Sequence, residues 1–186
     1  MPKSTIYRSA LDELGAVFDR VDPASVDAAV ARIAAARTVV VFGGRREGLQ
    51  IRGFAMRLFH MGRSVAVVGD MTTPPVGPGD LFLVTVGPGE ISTALALMGV
   101  ARAAGAEILL LTAQPAGRCA TLADSVLAIP AQTMANDRGA AAASVLPMGS
   151  LYEGALFVLF EVIILKLRET LAISPEAMRA NHTNLE

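Results

Sequence analysis

Two glycine-containing segments of this sequence have residue types that could bind an anion. The first reads Gly43-Gly44-Arg45-Arg46-Glu47-Gly48, and the second reads Thr85-Val86-Gly87-Pro88-Gly89-Glu90. Glycines let backbone N–H groups approach a ligand, and the start of a following helix adds a partial positive charge. The first segment therefore predicts an anion site that includes Arg45 and Arg46. The alternative is a surface loop with two solvated arginines.

Acid–base chemistry has two candidates, a glutamate and a histidine. Glu153 stands at the start of a long apolar helical pattern, where a carboxylate could act as a general base. Ser150 and Glu153 also have the spacing of a capping box, which would explain the glutamate without catalysis. His182 lies near the end of the chain. From its sequence context alone, we expect its side chain to be exposed to solvent.

The elements that must position these residues alternate between strand and helix. Two helices are predicted within the first 36 residues, the second with Asp22 as its N-cap. Further helical patterns cover about 48–60, 90–104 and 150–171, and Ser174-Pro175 opens a last short helix. Apolar runs typical of buried parallel strands lie at 38–42, 64–68, 81–86, 107–112 and 125–129. This alternation predicts an α/β fold, a three-layer αβα sandwich around a five-stranded parallel sheet.

A sheet of this kind also predicts where the ligand binds. Open parallel sheets bind ligands at the carboxyl ends of their strands, where the strand order reverses. The predicted site therefore consists of the loops 43–48, 69–80 and 87–90. The middle loop contributes Thr72 and Thr73.

Length and composition indicate one domain with more apolar residues than a monomer needs. The chain has 186 residues, of which 53% are hydrophobic, and a net charge of −1. The longest stretch without a charged residue, 139–152, is shorter than the roughly 20 residues of a membrane-spanning helix. The charge balance gives no sign of nucleic-acid binding. A single cysteine, Cys119, excludes an internal disulfide, and a cytoplasmic location is expected.

Several segments together resemble the 6-phospho-3-hexuloisomerases of the sugar isomerase (SIS) domain superfamily. In chain order they are Phe54-Ala55-Met56-Arg57-Leu58, His60-Met61-Gly62, Thr72-Thr73-Pro74, Pro147-Met148-Gly149 with Glu153, and His182 with Asn184-Leu185. The resemblance covers nearly the whole chain and implies a flavodoxin-like sheet. It implies one SIS domain over 1–186, with N-terminal helices in 1–36, the sheet core in 37–130, and C-terminal helices and tail in 147–186. It also implies a homotetramer, with a dimer as the alternative.

The resemblance further implies an activity, the interconversion of 3-hexulose 6-phosphate and fructose 6-phosphate. Proton transfer would pass through an enediolate, without a metal or organic cofactor. Glu153 matches the family's glutamate base, and His182 matches a tail histidine that can reach a neighbouring subunit's site. Combined with the two glycine segments, the expected substrate-binding residues are Gly43, Arg45, Arg46, Gly48, Thr72, Thr73, Thr85, Gly87, Gly89 and Ser92.

Two departures from the family pattern lie in the loops that usually bind the phosphate group of the substrate. SIS isomerases usually carry Ser-Gly-Ser-Gly-x-Thr after the third strand, whereas this chain has Val86-Gly87-Pro88-Gly89-Glu90-Ile91. Glu47 stands where the first loop usually has a serine. Each lost hydrogen bond to a charged group is worth about 1.5–3 kcal/mol. A changed sugar substrate is therefore expected, and the alternative function is a non-catalytic SIS module that binds a carbohydrate derivative.

Overall fold

The computed structural model describes residues 4–139 and 142–185, and it contains one sheet of five parallel strands. The strands are β1 Val39–Gly43, β2 Val65–Val67, β3 Leu81–Thr85, β4 Glu107–Thr112 and β5 Ser125–Ala128. Their order is β2-β1-β3-β4-β5, and every neighbouring pair is parallel. This is the flavodoxin-like order, so the predicted α/β fold is confirmed.

Helices cover both faces of this sheet. The α-helices of the described residues are α1 Ser4–Phe18, α2 Pro23–Ala35, α3 Glu47–His60, α4 Ser92–Ala103, α5 Ser150–Thr170 and α6 Pro175–Ala180, and a 3-10 helix spans Arg118–Leu122. Among these helices, none is long and apolar enough to cross a membrane.

Alternate residues of each strand pack into two separate cores. On β3, Leu81 and Leu83 belong to the larger core, formed with α2, α3 and α5. Phe82 and Val84 belong to the smaller core, formed mainly with α4. Strand residues point alternately to the two faces of a sheet, so both faces of β3 are buried. This explains the continuous apolar run in its sequence.

Two helices begin where the sequence predicts them, and a side chain caps the start of each. The carboxylate of Asp22 accepts hydrogen bonds from the N–H groups of Ala24 and Ser25, both at 3.1 Å, and so caps α2. The hydroxyl of Ser174 accepts one from the N–H of Ala177 at 3.1 Å and caps α6. Each cap satisfies N–H groups that the first helical turn leaves without a partner.

Strand order decides which loops can share a site. β1 and β3 are neighbours in the sheet, and the chain leaves them toward opposite faces, into α3 and α4. The crevice between these two departures is the point where the strand order reverses. β2 lies at the edge of the sheet, on the far side of β1 from β3.

Candidate active site

A cavity of about 480 Å³ lies at the carboxyl ends of β1 and β3. Its wall includes residues from the loop after β1, the loop after β3, the segment 133–138 and the start of α5. The volume is in the range of small-molecule sites. Two of the three predicted loops therefore meet here, whereas the loop 69–80 follows the edge strand β2 and lies outside this cavity.

Glu153 faces this cavity from the first turn of α5. Its Oε1 lies 3.0 Å from Nε of Arg46, and its side chain is only 16% exposed. The predicted capping box is wrong: the helix is preceded by Gly149 in the left-handed conformation, and no side chain caps it. Ser150 is itself the first helical residue. The carboxylate of Glu153 is consequently available to the cavity.

Burial and the guanidinium of Arg46 have opposite effects on the pKa of the Glu153 carboxyl group. Burial raises its pKa above the ordinary value, and this effect outweighs the charge of Arg46, which lowers it. Arg46 also donates hydrogen bonds to the carbonyl oxygen of Met148 and to the hydroxyl of Ser150, the latter at 3.4 Å. Arg46 thereby ties the start of α3 to the start of α5.

A second carboxylate, that of Glu47, is buried at the back of the cavity. Its oxygens lie 3.1 and 3.0 Å from the N–H of Gly87, which donates to them, and the Thr85 hydroxyl donates to Oε2 at 2.8 Å. Burial raises the pKa of Glu47, against the effect of these donors. The hydroxyl groups of Thr85 and Tyr152 are 3.0 Å apart, and burial raises the pKa of Tyr152 well above 10.

Neither Glu47 nor Tyr152 is among the sequence-predicted site residues. The one sequence signal for Glu47 is that it replaces the serine usual in the first loop of the family. Tyr152 has no such signal, because its spacing on α5 matches that of an ordinary core residue. Arg138, which lines the cavity from the segment before α5, also lies outside the predicted set.

The predicted glycines pack against the chain itself. A Cβ atom on Gly87 would lie 2.9 Å from the ring of Tyr152 and 3.0 Å from Glu47 Oε1. A Cβ atom on Gly48 would lie 2.7 Å from the carbonyl oxygen of Gly43. Close contacts of this kind also surround Gly43 and Gly89, and the cavity wall contains none of these four residues in the part of the chain described. Their role in substrate binding stays a prediction.

The other predicted side chains fall into two groups. Arg45, Arg46 and Ser92 line the cavity together with Glu153, and Thr85 lies behind Glu47. Thr72 lies in a separate groove beside β2. The hydroxyl of Thr73 donates to the carbonyl oxygens of Val67 and Asp70, both at 2.7 Å.

His182 lies at the opposite end of α3 from Arg46. Its ring is 5.0 Å from the ring of His60, the last residue of α3. A helix of this length spans about 20 Å, so His182 and Glu153 do not meet within one chain. Participation of His182 in the site would therefore require a neighbouring subunit and stays a prediction. The participation of Thr72 and Thr73 stays a prediction as well.

Three helices begin at this cavity without a side-chain cap. In the described part of the chain, no side chain caps α3, α4 or α5 by accepting a hydrogen bond from its first N–H groups. The uncapped ends carry partial positive charge toward the cavity. Together with Arg46, they can stabilise an oxyanion next to a general base at Glu153.

Comparisons with known proteins show the family of this chain. Residues 32–158 match the SIS domain model. The chain belongs to the SIS domain family. A 3-hexulose-6-phosphate isomerase of Mycobacterium gastri is 38% identical over 94% of this chain and 87% of its own length. The Bacillus subtilis (strain 168) protein of the same name is 31% identical over 99% of this chain and 100% of its own.

A solved structure supports the same fold. A Methanococcus jannaschii protein, for which a 3-hexulose-6-phosphate isomerase function was inferred, superimposes with a TM-score of 0.84. It is 23% identical, and the match covers 97% of this chain and 98% of that one. The SIS domain match includes Arg46, Glu47 and Glu153, whereas His182 lies beyond it.

Proposed function

We propose that this protein is a sugar-phosphate isomerase of the 3-hexulose-6-phosphate isomerase type. The observation that carries the proposal is the carboxylate of Glu153, which faces a ligand-sized cavity. Its Oε1 lies 3.0 Å from Nε of Arg46, and burial raises the pKa of this carboxyl group. The names of the relatives at 38% and 31% identity support this reaction class. The substrate is a small sugar phosphate or a related sugar acid.

The proposed chemistry is proton transfer between two adjacent carbons. Glu153 removes the proton from the hydroxyl-bearing carbon beside the carbonyl, and the electron pair moves onto the carbonyl oxygen to form an enediolate. A proton then passes from the adjacent hydroxyl oxygen to the former carbonyl oxygen, so that the new carbonyl forms on the carbon that lost its proton. Glu153 returns the carbon-bound proton to the former carbonyl carbon. Arg46 and the uncapped helix ends offset the charge on the oxygen, and burial raises the pKa of Glu153, which makes its carboxylate a stronger base.

A variant assay in deuterated water tests this proposal. The purified protein is given 3-hexulose 6-phosphate, and fructose 6-phosphate and its carbon-bound deuterium are measured. Glu153→Gln is expected to lower turnover by about 10²–10⁴-fold while the circular dichroism spectrum is retained. Glu169→Gln, an exposed position in the last turn of α5, is the control. Unchanged turnover in Glu153→Gln would contradict the proposed role.

The alternative function is a non-catalytic SIS module that binds a carbohydrate derivative. The observation in its favour is Glu47, which occupies the amide of Gly87 after β3. A thermal-shift screen against phosphorylated, acidic and neutral sugars identifies a ligand, and deuterium incorporation into that ligand then distinguishes the two functions. Ligand binding without deuterium incorporation would favour the binding module, whereas incorporation would exclude it.

We also propose that the protein assembles into a homotetramer or dimer. On the outer face of α5, Phe157 is 60% exposed and Leu165 is 55% exposed. Leu49 and Met56, on the adjacent α3, are exposed as well. A partner subunit that covers these apolar side chains would remove them from water, and it would account for the high hydrophobic content of a one-domain chain.

A further inference from the structure

Glu47 places a negative charge at the turn that follows β3. Both of its oxygens accept from the N–H of Gly87, and Oε2 also accepts from the Thr85 hydroxyl. The residue is only 8% exposed, although it lines the cavity. The carboxylate is therefore bound by the protein in the way that an external anion would be.

The Gly87 amide cannot serve two anions at once. A phosphate or carboxylate group of a ligand would compete with Glu47 for this N–H and would be repelled by its charge. Repulsion is strong at buried positions because the effective dielectric constant is lower than in water. The inner end of the cavity is consequently suited to an uncharged part of the ligand.

The exposed rim of the same cavity has two cations that remain available. Arg45 and Arg138 both line it, and neither forms an ion pair or a side-chain hydrogen bond within residues 4–139 and 142–185. Arg46 differs, because Glu153 is its partner. Arg45 has a left-handed backbone with φ of 53°, and its carbonyl oxygen accepts from the N–H of Gly48 at 3.1 Å.

We propose that Glu47 is a specificity-determining residue that keeps anionic groups off the Gly87 amide. A ligand then places a neutral, hydroxyl-bearing part next to Glu47 and its phosphate or carboxylate on Arg45 and Arg138 at the rim. This inference deepens the proposed function and depends on it for the class of ligand, an anionic sugar. Its test uses binding alone, so a failure of catalysis does not affect the result.

Calorimetric titration of the full chain with inorganic phosphate tests both parts of the proposal. In Glu47→Ala the Gly87 amide loses its carboxylate, and phosphate affinity is expected to rise about tenfold or more over the wild type. We expect the wild type to bind phosphate weakly at the rim. The double variant Arg45→Ala with Arg138→Ala is expected to lose this binding. The gain in Glu47→Ala is expected to persist when all three substitutions are combined, because it arises at the inner end.

Glu90→Gln is the matched control for charge. Glu90 lines the same cavity but forms an ion pair with Arg118 at 3.0 Å. An equal gain in Glu90→Gln would overturn the proposal, since net charge would then explain the effect. Unchanged affinity in Glu47→Ala would overturn it as well, and unchanged wild-type binding in the double arginine variant would overturn the rim site.

A second substitution keeps the test valid if Glu47→Ala does not fold. Glu47→Gln retains an oxygen that can accept from Gly87 and Thr85 but has no charge. Phosphate affinity is expected to rise in this variant by a smaller factor than in the alanine variant, because repulsion is lost while the amide stays occupied. An affinity equal to that of the wild type would contradict the proposed exclusion by charge.

Discussion

Nε of Arg46 lies 3.0 Å from Oε1 of Glu153, and this contact joins the start of α3 to the first turn of α5. The contact affects the ionisation of Glu153. Burial raises the pKa of Glu153, and the guanidinium of Arg46 lowers it in part. The acid–base behaviour of the site thus depends on a contact between two helices that are distant in the sequence.

Replacement of Arg46 by methionine is expected to shift the acidic limb of the kcat/KM profile to higher pH. Arg46 lowers the pKa of Glu153, so its removal leaves the carboxyl protonated over a wider range. The measurement is kcat/KM against pH for variant and wild type. Arg32→Met removes a comparable guanidinium, 2.7 Å from Glu107 and away from the cavity, and serves as the control. A shift to lower pH would contradict the proposed coupling.

Replacement of Thr85 by valine is expected to lower the free energy of unfolding by about 1–3 kcal/mol. The buried carboxylate of Glu47 loses its donor at 2.8 Å, and the Tyr152 hydroxyl loses its neighbour at 3.0 Å. Urea unfolding at neutral pH measures the loss. Thr121→Val, at an exposed position, is expected to change stability by less than about 0.5 kcal/mol. Equal stability of both variants would show that the buried network contributes nothing.

The Glu47→Gln variant is expected to become more stable relative to the wild type as the pH rises. The pKa of Glu47 is raised in the folded protein, so its stabilising contribution is complete below the ordinary glutamate pKa. That contribution is lost as the pH rises through the raised value, whereas glutamine does not titrate. Urea unfolding at about pH 4 and about pH 7 should therefore shift the stability difference toward the variant. A shift in the opposite direction would mean that the donors of Gly87 and Thr85 outweigh burial.

Mixed subunits are expected to restore activity if His182 acts in a neighbour's site. Within one chain, His182 lies beside His60 and away from Glu153. Glu153→Gln and His182→Asn subunits, inactive separately, would form hybrid oligomers in which some sites contain both intact residues. Turnover after co-expression of the two variants measures this recovery, and light scattering confirms the assembly. If the variants stay inactive together, each site lies within one chain.

Much of the architecture was predictable because its signals are local. The continuous apolar runs predicted all five strands, and Asp22 and Ser174 predicted helix starts that their side chains do cap. Hydrogen bonds of this kind connect residues only a few positions apart. Ser150 and Glu153 show the limit of such signals, since an ion pair with Arg46 replaces the expected capping box.

The loop 69–80 shows why strand order escapes a local signal. Its Thr72 and Thr73 follow a strand like the other predicted loops, yet β2 lies at the sheet edge and they remain outside the cavity. Strand order depends on which crossovers pack on which face. That outcome involves contacts between residues far apart in the chain.

The order of residues therefore determined the alternating elements, the two buried faces of the sheet and the family, because hydrophobic periodicity and motifs are read along the chain. Tertiary packing alone decided that Glu47 reaches the amide of Gly87 and that Arg46 reaches Glu153. Both contacts arise where α3 and α5 begin beside the end of β3. The geometry of both contacts follows from how the helices pack on the sheet. The spacing of residues within one segment of the sequence does not determine this packing.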